Sequence, residues 1–103
     1  MEFQEAMQEL ESLGTAQNRK IYVRHGSNKA MFGVSFANLK ILTKKIKKNH
    51  PLALKLWATG NMDAMILATM IADPSMLKDN EIREWVKSCD YYPLTDSFAK
   101  EIV

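Results

Sequence analysis

The sequence predicts an all-α fold in which antiparallel helix pairs stack side by side. Apolar residues recur every three or four positions along most of the chain, which is the period of an amphipathic helix. Helix-capping residues, glycines and prolines stand at the ends of these segments, and strand-like alternation is nearly absent. The composition is typical of a globular domain, with 47% hydrophobic and 25% charged residues among 103. We therefore expect a single α-helical repeat domain over residues 1–103.

Two helices are predicted at the start of the chain. Residues 3–13 carry an apolar residue every three or four positions, and Gly14 is suited to end that helix. Thr15 is a residue type that caps helix N-termini, so a second helix should follow it. We expect Ile21 and Tyr22 to lie along the same side of this second helix.

A third and a fourth helix are predicted in the middle of the chain. Ser35 should cap the third helix, whose apolar stripe runs over residues 36–46. We expect Asn49 and His50 to close it, with His50 at the surface. Pro51 suits the first turn of a fourth helix, where its missing N–H breaks no hydrogen bond.

The second half of the chain predicts three more helices. Residues 62–72 are apolar nearly all round, which is typical of a buried helix. A sixth helix should begin near Asp79, and Trp85 on its stripe should pack in the core, as should Trp57 of the fourth helix. A last segment starts at Pro93.

Helices with short connections, taken in pairs, predict a HEAT-like α-α superhelix of about three stacked helix pairs. An ordinary helical bundle is the alternative. Val103 falls on a helical stripe without a capping residue, so we expect the chain to be the N-terminal part of a longer protein. An uncapped terminal repeat exposes apolar surface and invites dimerisation.

Charge is distributed unevenly along the chain. No Asp or Glu occurs between Ser12 and Met62, whereas ten Lys and Arg residues lie there. This asymmetry predicts a polyanionic partner. A solvated helix face is the alternative interpretation of the lysine run in the third helix, where cations near the C-terminus also suit the helix dipole. The candidate residues for binding such a polyanion, a nucleic acid above all, are Arg19, Lys20, Arg24, Lys29, Lys40, Lys44, Lys45, Lys47 and Lys48.

Several protein classes are disfavoured. Cys89 is the single cysteine, so no internal disulfide forms, and a reducing cytoplasm is the expected location. No metal-binding motif and no nucleotide-binding loop occur, so we expect no metal and no cofactor. No apolar run is long enough to span a membrane.

Three stretches resemble the DNA alkylation repair family of AlkD-like, HEAT-repeat alkylpurine DNA glycosylases. They cover almost the whole chain, and their order and spacing are fairly specific. The stretches are Asn18–Gly26, then Phe32–Ser35 with Leu39 and Lys40, and then Ala53–Trp57 with Leu67–Pro74 and Glu84–Val86.

The resemblance implies a protein that grips duplex DNA on a basic face, largely through the backbone, and excises N3- or N7-alkylated purines. The family's active-site motif has an aromatic residue and an Asp four positions later, which correspond here to Tyr92 and Asp96. Asp96 would be the catalytic carboxylate, stabilising positive charge on the sugar. Tyr92 stands where the family usually has Trp. The family's remaining functional residues, an Arg and a second Trp, would fall beyond Val103.

Two rival interpretations come from other functional classes. One is a non-catalytic HEAT-repeat module that binds the nucleic acid backbone, which the altered motif around Tyr92 favours. The other is a scaffold whose basic face binds an acidic protein partner. Competition by plain duplex DNA would separate these two.

Overall fold

A computed structural model describes residues 1–24 and 30–87 of the chain, and these ranges fold into α-helices joined by short connections. Within them no residue belongs to a β-strand, so the predicted all-α class is confirmed. A single 3-10 turn at Pro74–Met76 precedes the last described helix. The helices are α1 (Phe3–Leu13), α2 (Ala16–Arg24), α3 (Phe36–Ile46), α4 (His50–Ala58), α5 (Met62–Ile71) and α6 (Asp79–Lys87).

Helix α5 is the centre of the core. All ten of its residues are buried, as the unbroken apolar run predicts, and it packs against α1, α3 and α4. Residues 59–61 connect α4 to α5, so these two helices form an antiparallel hairpin. Asn61 caps α5, because its side-chain oxygen accepts a hydrogen bond from the Ala64 N–H at 3.2 Å.

The predicted caps of α2 and α3 are confirmed. Thr15 Oγ1 accepts a hydrogen bond from the Asn18 N–H at 3.1 Å, and the Ser35 hydroxyl accepts one from the Asn38 N–H at 3.2 Å. Gly14 follows the last residue of α1, as expected. These contacts are local along the chain, which is why residue type and position alone predict them.

The predicted boundary between α3 and α4 was wrong by three to four residues. Helix α3 ends at Ile46, and Lys47 then takes a left-handed φ of 64° that turns the chain away. Asn49 belongs to the next helix, because its side chain accepts a hydrogen bond from the Leu52 N–H at 3.2 Å. Asn49 is therefore the N-cap of α4 and does not close α3.

His50 is also placed differently from the prediction. It is the first residue of α4 and only 7% exposed, whereas the sequence suggested a surface position. Its Nδ1 accepts a hydrogen bond from the Asp73 N–H at 3.3 Å, and the Asn49 N–H donates to the Ile71 carbonyl at 2.8 Å. The start of α4 thus lies against the C-terminal end of α5, and the imidazole supplies an acceptor for a backbone N–H there.

Helix α2 contributes little apolar surface to the core. Tyr22 is its one buried residue, at 8% exposure, while Ile21 is 39% exposed and Val23 is 59% exposed. Ile21 and Tyr22, which were predicted to share one side of α2, therefore differ in burial. Because few apolar groups hold this helix, its position depends on hydrogen bonds to other segments.

The two tryptophans pack as predicted, and they do so against each other. Trp57 of α4 and Trp85 of α6 stack with ring centroids 4.2 Å apart and planes 6° apart. Stacked aromatic pairs add stability beyond the area they bury. Glu81 supports the start of α6 by accepting a hydrogen bond from the Lys78 N–H at 3.0 Å.

Candidate nucleic-acid interface

Helix α2 presents one group of cations. Arg19, Lys20 and Arg24 are all exposed, and together with Ala16 and Val23 they line a shallow depression. A guanidinium can bind a phosphate through two N–H groups at once, whereas an ammonium acts as a point charge. The helix therefore offers both kinds of phosphate contact on one surface.

Residues 31–34, which we call the tether segment, connect α2 to the rest of the protein. Three of its carbonyl groups accept hydrogen bonds from the α2 region. The Arg19 Nη1 donates to Phe32 O at 3.0 Å and the Tyr22 hydroxyl donates to Val34 O at 2.6 Å. The N–H of the α2 N-cap residue, Thr15, donates to Gly33 O at 3.0 Å.

Gly33 brings the backbone of the tether segment into close contact with α2 and its N-cap residue. Its φ is +83°, a conformation that glycine adopts without steric cost. A Cβ at this position would lie 2.5 Å from Thr15 O and 2.7 Å from Arg19 Cγ. The absence of a side chain therefore allows α2 to sit directly on this backbone.

Asp63 holds the tether segment from the opposite side. Its Oδ2 accepts hydrogen bonds from the Phe32 and Gly33 N–H groups at 2.6 and 3.0 Å, and its Oδ1 accepts one from the Val34 N–H at 2.9 Å. The carboxylate is fully buried in the first turn of α5, where the helix dipole favours a negative charge. Burial of a charge is tolerated here because three N–H donors surround it.

The sequence interpretation did not single out Asp63. The signal that points to it is a charged residue inside an otherwise apolar run, since a buried acid must find partners. Its partners lie 29 to 31 residues earlier in the chain, and the sequence gives no indication of which segment supplies them.

Helix α3 presents a second group of cations. Lys40 and Lys44 lie one turn apart and line a shallow groove with Thr43 and Met70. Lys47 follows the helix and is exposed. Within residues 1–24 and 30–87, the side chains of these three lysines make no hydrogen bond or ion pair, so their ammonium groups face solvent.

The other two lysines of the α3 run have partners inside the protein. Lys45 Nζ lies 2.9 Å from Glu9 Oε1, and this hydrogen bond and the carboxylate charge raise the pKa of Lys45. Lys48 Nζ donates to the Met70 and Ala72 carbonyls at 3.3 and 3.2 Å, at the C-terminal end of α5. A cation is favourable at that end of a helix. The structure thus divides the predicted lysine patch into solvent-facing and internally bonded members.

Some predicted residues fall outside the ranges that the structure describes. They are Lys29, Cys89, Tyr92, Asp96 and the segment that starts at Pro93. In the described ranges, no three His, Cys, Asp or Glu residues are grouped so that they could hold a metal ion. Nor is any helix in these ranges long and apolar enough to cross a membrane.

Comparison with known proteins identifies the family. The profile of the family described as DNA alkylation repair enzyme matches residues 6–103. The chain belongs to this DNA alkylation repair family. The resemblance of the three sequence stretches is thereby confirmed, and the match extends over nearly the full sequence.

Two curated proteins are similar to this chain in sequence. The uncharacterized protein Lmo0209 of Listeria monocytogenes is 31% identical over 81 residues, which cover 75% of this chain and 36% of that protein. Lin0241 of Listeria innocua is 30% identical over the same extent. The chain therefore spans about a third of the length of these relatives.

A solved structure confirms the HEAT-like fold. It comes from a family described as related to the HEAT-like repeat DNA glycosylases and as having affinity for branched DNA structures. The two chains superpose with a TM-score of 0.85 at 43% identity, over 93% of this chain and 41% of that one. The predicted HEAT-like superhelix of stacked helix pairs is therefore the fold of this member of the DNA alkylation repair family.

Proposed function

We propose that this protein binds DNA through its phosphate backbone, using the cations of α2 and α3. The observation that carries the proposal is the grouping of exposed cations on these two helices within a stretch that has no acidic residue. Neutralising phosphates releases counterions, so such binding is strong at low salt and weakens steeply as salt is added. Backbone contacts of this kind carry no sequence information, so we expect little sequence preference.

Branched DNA is the form that we propose the protein prefers. The similar solved structure belongs to a family described as having affinity for branched DNA, and the two chains are 43% identical over 93% of this chain. Two separate cation groups, one on each helix, suit a ligand whose backbones diverge. A four-way junction should therefore bind more tightly than a linear duplex with the same number of base pairs.

Charge-removal variants test this proposal. Lys20→Gln with Arg24→Gln removes two cations from α2, and Lys40→Gln with Lys44→Gln removes two from α3. Arg19 is left intact because it also bonds to Phe32 O. Each pair of substitutions should weaken junction binding. It should also reduce the steepness of log K plotted against log salt concentration by about 0.9 for each lost phosphate contact.

The matched control removes two cations that are not in the predicted DNA-binding set. Lys55→Gln with Lys78→Gln changes the net charge by the same amount, and both side chains are exposed. This pair should leave the salt dependence nearly unchanged. Equal losses for all three pairs would indicate only a general charge effect, and unaltered binding by the α2 and α3 pairs would refute the proposed surface. Unlabelled duplex DNA, added as a competitor, distinguishes a DNA ligand from an acidic protein partner.

Excision of alkylated purines is a second candidate function, supported by membership of the DNA alkylation repair family. Asp96 would stabilise the positive charge that develops on the deoxyribose and orient the attacking water. Tyr92 would pack its ring against the sugar or the lesion. An alkylated purine is already a good leaving group, so this chemistry needs neither a metal nor a cofactor.

Release of alkylated purine from methylated duplex DNA tests the enzymatic candidate. Release by the wild-type protein that disappears with Asp96→Asn, while DNA binding persists, would support Asp96 as the catalytic carboxylate. Binding without release by the wild type would restrict the function to DNA recognition. An unchanged rate in Asp96→Asn would remove Asp96 from the reaction.

A further inference from the structure

We infer that Asp63 is a positioning residue that holds the DNA-contacting helix α2 in place through the tether segment, an inference that rests on the proposed function. Asp63 itself is fully buried and cannot reach DNA. Its effect would pass through Phe32, Gly33 and Val34, whose N–H groups donate to its two carboxylate oxygens.

The tether segment is bonded on both of its sides. The N–H groups of Phe32, Gly33 and Val34 all donate to Asp63. The carbonyl groups of the same three residues all accept hydrogen bonds from Thr15 or α2. Each of these three residues therefore joins α5 to the α2 region through its own backbone groups.

The carbonyl just before the tether segment adds a further bond to α5. Ala30 O accepts a hydrogen bond from the Met62 N–H at 2.8 Å, at the start of that helix. The backbone thus contacts the N-terminus of α5 both at Ala30 and in the tether segment. Because all ten residues of α5 are buried, this helix is a fixed support for the segment.

Helix α2 lacks an equivalent apolar anchor. Tyr22 is its only buried side chain, and the hydroxyl of Tyr22 bonds to the tether segment. Arg19 bonds to the same segment with one nitrogen of its guanidinium. Loss of the support from Asp63 should therefore loosen α2 while the packing of α4 against α5 persists.

The test variant is Asp63→Asn. The amide nitrogen replaces one carboxylate oxygen and cannot accept a hydrogen bond, so at least one of the three N–H groups loses its partner. Tyr22→Phe is the second variant; it cuts the tether at its other end without altering the α5 helix. If Asp63→Asn does not fold, Tyr22→Phe carries the test.

Hydrogen exchange without DNA gives the first readout. In either variant, protection of the α2 amides should fall about tenfold or more, whereas α5 amides should keep their protection. Equal loss over α2, α4 and α5 would indicate general destabilisation, and unchanged α2 protection would show that the tether does not hold the helix. Either of these results would overturn the inference.

Junction binding in a double-mutant cycle gives the second readout. In the Lys40→Gln, Lys44→Gln background, Asp63→Asn should weaken junction binding by the same factor as in the wild-type protein. Combined with Lys20→Gln and Arg24→Gln, it should weaken binding much less, because the contacts that it positions are already gone. If Asp63→Asn weakens junction binding by the same factor in both charge-removal backgrounds, Asp63 does not position the α2 cations.

Failure of the proposed function gives a different pattern of results. If the wild-type protein binds neither junction nor duplex DNA, the proposed function fails, and the role of Asp63 in DNA contact fails with it. Hydrogen exchange then decides by itself whether Asp63 supports α2. If the wild type binds and the cycle is additive, only the inference about Asp63 fails.

Discussion

Replacing Lys47 by glycine should raise the stability of the protein and lower its affinity for DNA. Lys47 has φ 64° and ψ −161°, a region of backbone conformation that is nearly exclusive to glycine. A non-glycine residue held there costs about 1–3 kcal/mol. The exposed side chain makes no hydrogen bond or ion pair in the described ranges, so its removal loses no such contact.

The expected gain is the strain relieved minus the larger entropy that glycine loses on folding. Glycine costs roughly 0.5–1 kcal/mol relative to alanine for this reason. The free energy of unfolding should therefore rise by about 1 kcal/mol, which corresponds to about 4–8 °C in Tm for a domain of this size. The Lys47 N–H donates to Thr43 O at 2.7 Å, and glycine keeps this bond.

Lys47→Ala is the matched control, because it removes the same charge and keeps the strained backbone. Both variants should reduce the steepness of log K for DNA binding, plotted against log salt concentration, by about 0.9 per lost phosphate contact. Only Lys47→Gly should melt at a higher temperature than the wild type. If Lys47→Gly and Lys47→Ala have the same Tm, the assignment of strain to this residue is wrong.

Three further outcomes are expected. Ser35→Ala removes the cap of α3 and should lower the free energy of unfolding by about 1 kcal/mol in urea titration; an unchanged midpoint would contradict the cap. Ile66→Ala empties a fully buried site in α5 and should cost about 2–5 kcal/mol by the same assay, whereas a loss below 1 kcal/mol would mean that the core closes around the gap. Hydrogen bonds from the Ser75 hydroxyl and N–H lower the pKa of Asp73. Since a lowered folded-state pKa stabilises the protein above the unfolded-state value, that stability should be lost as the pH falls below about 4. The difference in Tm between the wild type and Ser75→Ala should shrink as the pH falls through this range. A difference that stays constant would show that the Ser75 hydroxyl does not stabilise the ionised form of Asp73.

The features that the sequence predicted correctly are local ones. Apolar spacing located the helices, and the residue types at Thr15 and Ser35 located two of their caps, because both depend on neighbours within one or two turns. The buried character of α5 followed in the same way from an uninterrupted apolar run. The boundary at Asn49 was missed because Asn can either follow one helix or cap the next.

The features that the sequence could not predict depend on distant partners. The two lysines Lys44 and Lys45 are adjacent and chemically identical, yet Lys45 pairs with Glu9, 36 residues earlier, while Lys44 faces solvent. Likewise, Asp63 finds its donors about 30 residues away. Such contacts are set by how the helices pack together.

The stack of Trp57 on Trp85 determines what an optical experiment on this protein can observe. The chain has two tryptophans, and both belong to this contact between α4 and α6. Two indoles so close and nearly parallel couple electronically, so their near-ultraviolet circular dichroism and fluorescence report the docking of α6. Detachment of α2 would leave that signal intact. Intrinsic tryptophan emission will therefore follow unfolding around α4 and α6, and an extrinsic label is needed to follow the basic helix.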